Sequence, residues 1–142
     1  MYIISISDFK KLTNKRLKEA ELMFQNNRYD CAVYLSGYSI ELMLKLNVCK
    51  LFKLSQGYPE NRLELDTYPD GLKENFLIGL RQINLKTFRT HNLNDLLLIS
   101  GKEFKIKNVL LIEWTEILYW DPELRYRIVN INKLKLQNLL NL

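Results

Sequence analysis

The sequence holds one histidine, His91, and imidazole is the side-chain type that ordinarily gains and loses a proton near neutral pH. A general acid or base of a proton-transfer reaction would be built on such a ring. Lys86 and Arg89 lie shortly before it and can supply the fixed cation that stabilises phosphorane-like charge. Lysine there offers a compact charge without the planar fork of arginine, which weakens that role. The plainer reading of His91 is a helix-start residue whose ring bonds a backbone group. A second group is Arg125-Tyr126-Arg127. Two guanidinium groups can clamp a phosphate while the ring between them stacks on a base, as on single-stranded RNA. The same arginines can instead pair locally with Asp121 or Glu123, with Tyr126 in the core. The third group is Glu41 with Lys45 one helical turn later and Tyr34 and Tyr38 on the same stripe. Glu41 falls at the border of two apolar faces and is expected to be partly buried, where a carboxylate needs a partner. A structural polar network with Lys45 is one reading. The other has Glu41 orienting His91 or an arginine from a later helix.

Helices must position these groups. Ser5 or Ser7 can cap a first helix, with Asp8 in its first turn, and Gln25-Asn26-Asn27 should end it. From Tyr29 to about Lys53, Val33, Ile40, Leu44 and Val48 gather on one face and Leu35, Leu42, Leu46 and Cys49 on the other. A helix apolar on both sides is a central helix. Gly37 inside it costs about 1 kcal/mol against alanine, which close approach of a neighbouring helix would offset. Residues 54–71 break the pattern with two turn signals, Gly57-Tyr58-Pro59-Glu60 and Thr67-Tyr68-Pro69-Asp70-Gly71. This long connection, with room for one helical turn, is a candidate lid, a partner surface or a plain surface loop. Further helices are expected from Leu72 to about Ile83, from Thr90 or Asn92 to Ser100-Gly101, and from Phe104 to Tyr119. A helical tail from Asn130 to Leu142 stays apolar to its end.

The 142 residues include only five Gly and three Pro and are 47% hydrophobic, which suits long helices and one core better than a β fold. The expected architecture is an all-α, antiparallel up-and-down helical bundle of four to five main helices in one domain spanning 1–142. The formal net charge of +5 leans toward anionic partners, although Glu and Asp are interleaved with the cations. Cys31 and Cys49, on one helix, would stand roughly 27 Å apart at 1.5 Å per residue and cannot pair. With one His, two scattered Cys and no leader or long apolar run, no metal, cofactor or membrane contact is expected, and the location is expected to be cytoplasmic. The absence of a Gly-rich phosphate loop, a paired acidic metal motif and a nucleophile elbow argues against nucleotide hydrolases, two-metal nucleases and serine hydrolases.

Two segments resemble the small stand-alone branch of the HEPN family. Arg28-Tyr29-Asp30-Cys31-Ala32-Val33-Tyr34-Leu35-Ser36-Gly37-Tyr38-Ser39-Ile40-Glu41-Leu42-Met43-Leu44-Lys45 is similar to its signature second helix. Thr90-His91-Asn92-Leu93, then Trp114, Trp120, Pro122-Glu123 and Arg125-Tyr126-Arg127, follow in the family's order, so that the likeness runs from about residue 10 to 128. The resemblance implies an antiparallel helical bundle, commonly a homodimer and often encoded beside a nucleotidyltransferase-type antitoxin. Many of the family are metal-independent ribonucleases of toxin-antitoxin, CRISPR or phage-defence systems, and others bind RNA or partner proteins without catalysis. The catalytic branch carries an Arg, four to six residues, then a His. Here the corresponding positions before His91 hold Lys86, Leu85 and Asn84, and Arg89 is too near. The broken spacing favours an RNA-binding or partner-binding component. The alternative is a ribonuclease with a divergent site of His91, Lys86 and Arg89. Leu134, Leu136, Leu139, Leu140 and Leu142 of the tail are expected to be buried in a homodimer or on the chain's own bundle.

Overall fold

The computed structural model describes residues 5–117, Trp120 and Pro122. Seven helices and no strand occur among them. Helix α1 (Ile6–Gln25) starts at Ser5, whose hydroxyl accepts the Asp8 N–H and so satisfies one of the free donors of the first turn. It ends in a Schellman turn: Asn27 takes a left-handed φ of 60°, Arg28 N–H donates to Met23 O at 2.8 Å and Asn27 N–H to Phe24 O at 3.1 Å. The turn delivers the chain directly into α2 (Tyr29–Phe52), so α1 and α2 form a helical hairpin.

Helix α2 is the central element, as its two apolar faces require. Val33, Ile40, Leu44 and Val48 are buried on one side, Leu42, Leu46 and Cys49 on the other, and the helix packs against α1, α4 and α5. The 53–69 connection packs part of its side chains into the core while its other residues face solvent. Leu54, Tyr58, Leu65 and Tyr68 are buried, and Tyr68 Oη both donates to Gly57 O at 2.5 Å and accepts the Gln56 N–H at 3.2 Å. It contains the single turn α3 (Arg62–Leu65), capped by Asn61, whose Oδ1 accepts the Glu64 N–H at 2.9 Å. Helix α4 (Asp70–Gln82) inserts Phe76 and Leu80 into the core, and α5 (Leu93–Ser100) begins on Asn92, whose side chain accepts the Asp95 N–H.

The one helix expected from Phe104 to Tyr119 is two, α6 (Glu103–Val109) and α7 (Leu111–Ile117). Leu110 leaves helical geometry at φ −127°, ψ 36°, and the Asn108 side chain donates to Phe104 O beside the break. The buried Trp114 and Ile117 follow on α7, while Phe104, Val109, Leu111 and Ile112 around the break are exposed. Arg125, Tyr126, Arg127 and the tail from Asn130 lie outside the described residues. No helix among the described residues is long and apolar enough to cross a membrane.

Candidate functional site

Helix α2 carries a stripe of Tyr34, Tyr38, Glu41 and Lys45 at spacings of four, three and four, the spacing that lines up residues along one helix face. Tyr34 and Tyr38 stack with ring centroids 6.3 Å apart, and Arg16 of α1 lies over Tyr38. The Trp120 indole tilts against Tyr34 and donates to its carbonyl at 3.1 Å. Burial and the nearby Glu41 carboxylate both push the Tyr38 phenol above its ordinary range.

Below the tyrosines the stripe becomes charged and goes inside. Glu41 is 1% exposed and Lys45 3%, and Lys45 Nζ stands 3.0 Å from Glu41 Oε1. The same ammonium reaches Glu60 Oε1 at 2.6 Å and lies over the ring of Tyr58. Burial alone would lower the pKa of Lys45, but the two carboxylates outweigh it and raise the value above 10.5. The Lys45 ammonium therefore keeps its charge at neutral pH, while Glu41 Oε2 is buried with no hydrogen-bond partner among the described residues.

The outer end of this ion pair is His91. Glu41 Oε1 lies 2.5 Å from His91 Nδ1, while the imidazole side chain is 54% exposed. Opposite a carboxylate, which only accepts hydrogen bonds, Nδ1 would carry the proton, and in a neutral ring Nε2 would present its lone pair away from Glu41. His91 is held on the short segment between α4 and α5. Tyr58, buried in the core, donates to the carbonyl of Phe88 and so ties that segment to the 53–69 connection. Asn92 fixes the other side by capping α5, and Thr90 Oγ1 accepts the Asn92 N–H at 3.0 Å. The segment is thus pinned on both sides of the imidazole.

Glu41, Lys45 and His91, singled out from the sequence, are brought together. Glu41 is more deeply buried than its border position suggested, with the buried Lys45 and the His91 ring both against its carboxylate. Lys86 is not placed with them: it lines a separate cleft with Arg62 and Arg81. Arg89 is exposed, and its backbone N–H donates to Thr87 Oγ1. Glu60 and Tyr58 are neighbours of the Lys45 ammonium that sequence reasoning missed. Both sit in Gly57-Tyr58-Pro59-Glu60, which reads locally as a turn, and no periodicity links an irregular connection to Lys45 fifteen positions earlier.

Comparison with known proteins identifies no relative: no family, no curated protein and no solved structure matches this chain.

Proposed function

We propose that this chain is a HEPN-type component of a toxin-antitoxin or phage-defence system that acts on RNA at His91 as a metal-independent ribonuclease. The observation that carries the reading is the Glu41–His91 contact. Removing a carboxylate from water costs several kcal/mol, and here one oxygen of a side chain 1% exposed is shared between the buried Lys45 ammonium and a solvent-facing imidazole. That arrangement fixes a ring in one tautomer, which is the requirement for directed proton transfer. Nε2 would take the proton of a ribose 2′-hydroxyl as the 2′-oxygen attacks the adjacent phosphorus, and the imidazolium would return a proton to the departing 5′-oxygen. Glu41 would stabilise the imidazolium between the two steps.

A second reading, a module that binds RNA or a partner protein without cutting, is favoured by the position of Lys86. With Lys86 in another cleft and no arginine at the family spacing, Arg89 is the remaining candidate on that segment for the cation beside the phosphate. The homodimer and the nucleotidyltransferase-type antitoxin partner belong to either reading.

The test is purified protein and His91→Ala incubated with total tRNA and messenger RNA in the presence of EDTA, with RNA retention measured on filters in parallel. Chelator-resistant cleavage that falls about 100-fold or more in His91→Ala, at unchanged retention, is expected, since a proton-transfer group acts mainly in the transition state. RNA that is retained in a salt-dependent way but never cut transfers the proposal to the binding module. RNA neither retained nor cut removes both.

A further inference from the structure

The cleft that takes Lys86 away from His91 has a chemistry of its own. It has a volume of about 260 Å³ and lies between α3, the last turns of α4 and the segment that follows. Arg62, Arg81 and Lys86 stand on its walls, Leu77, Leu85 and Phe88 provide apolar surface, and no carboxylate is among its described lining residues. Three cations around one concavity with an apolar side form a receptor for an anion joined to a flat apolar group.

The ion pairs recorded for these cations leave them available. Lys86 has none among the described residues. Arg81 Nη2 is 3.7 Å from Glu74 Oε2, a long contact between two well exposed side chains. Arg62 Nε donates to Asp66 Oδ1 at 3.1 Å, which leaves its two terminal nitrogens without a recorded partner among the described residues. Asp66 is also shared with Lys73 at 3.3 Å.

The wall that carries Lys86 is also fixed. Asn84 takes a left-handed φ of 58°, Leu85 N–H donates to Leu80 O at 2.9 Å and Asn84 N–H to Arg81 O at 3.1 Å, the Schellman pattern again. The chain is thereby turned back along α4 so that Lys86 faces the same cleft as Arg81. Phe88 is anchored from behind by its ring contact with Phe76 and by the Tyr58 bond to its carbonyl. The apolar surface is therefore preformed.

We infer that this cleft binds a phosphorylated nucleoside, with Arg62, Arg81 and Lys86 on the phosphate and the Leu85–Phe88 surface under the base. The ligand is either a free nucleotide or one residue of an RNA chain. Five residues of extended chain reach at most about 17 Å, so the Lys86 side of the cleft lies within a few nucleotides of His91. The inference stands without the cleavage reading, because it concerns binding at a different set of side chains.

The test is a titration of the 15N-labelled protein, followed by backbone NMR shifts at residues 84–89. The probes are adenosine 5′-monophosphate, inorganic phosphate, adenosine and a hexameric oligoadenylate RNA. Saturable shifts with the monophosphate are expected, at least tenfold tighter than with phosphate or adenosine alone. A free-nucleotide site gives no gain for the hexamer, and an RNA subsite gives tighter binding of the hexamer at the same residues. Arg81→Glu and Lys86→Ala should each weaken binding about tenfold or more, while His91→Ala leaves it unchanged. All three positions are exposed, and unaltered circular dichroism and spectra away from the cleft would show that the variants are folded. No saturable shift with either the monophosphate or the hexamer, or equal affinity in folded Arg81→Glu, would overturn the inference.

Discussion

Lys45 shows how much of this protein rests on single charged atoms. Its ammonium lies between Glu41 Oε1 at 3.0 Å and Glu60 Oε1 at 2.6 Å, almost out of contact with water. A buried carboxylate deprived of its cation keeps the full cost of desolvation, so Lys45→Met is expected to destabilise the protein by about 3 kcal/mol or more at pH 7. Lys107→Met supplies the contrast. Its partner Glu103 is 2.8 Å away, yet both side chains are about two-fifths exposed, and the expected loss is about 0.5 kcal/mol or less. Urea melts of the two variants read the difference directly, and equal midpoints would mean that the Glu41 pair is not a buried one. The Glu41–Lys45 pair and the candidate link to His91 are legible from the sequence, since helical spacing places Glu41 between two apolar faces. Glu60 is not, because its approach to Lys45 depends on the path of an irregular connection.

At the scale of elements, Gly37 and Trp120 fix how closely the chain after α7 approaches α2. A Cβ on Gly37 would stand 2.1 Å from Cδ1 of the Trp120 indole, whose Nε1 is itself held by Tyr34 O. Gly37→Ala should therefore destabilise by about 1–3 kcal/mol through overpacking, although the helix propensity alone favours alanine by about 1 kcal/mol. Gly71, in the first turn of α4, has nothing within 4 Å of the same built atom, and Gly71→Ala should stabilise by up to about 1 kcal/mol. Thermal melts with the two shifts in the same direction would show that the Trp120 contact is not tight. The glycine's need for a close neighbour is legible from the sequence, but the neighbour is an indole ring and not a helix backbone. The limits of α1 and α5 are likewise signalled by Ser5, Asn26-Asn27, Asn92 and Gly101, whereas α4 starts at Asp70, two residues before the expected Leu72. The break at Leu110 is not signalled, since Ile106, Leu110, Trp114 and Ile117 keep helical spacing straight through it.

Across the molecule, several acidic groups are held neutral inside the same core, and their joint effect is a weakness toward alkali. Burial pushes the Cys49 thiol from 9.0 up to about 12 and the Tyr68 phenol from 10.0 up to about 12, and it raises Tyr58 as well. In the unfolded chain these groups lose their protons at ordinary values, so above about pH 9 the unfolded state binds fewer protons than the folded one. Stability then falls with rising pH, starting near 9 with Cys49 and continuing from 10 with the tyrosines, until folded Cys49 and Tyr68 themselves titrate near 12. Lys45 acts in the same direction, because its raised value makes its contribution complete below 10.5 and lost above. Each such proton contributes up to about 1.4 kcal/mol per pH unit. Urea midpoints measured at pH 8, 9, 10 and 11 should be nearly level across the first step and drop across the later ones. Cys49→Ala should remove the earliest part of the drop, between pH 9 and 10, and leave the later part in place. A Cys49→Ala profile that superimposes on the parent between pH 9 and 10 would show that the thiol meets solvent in the folded protein, and would undo the placement of that face of α2 against the core.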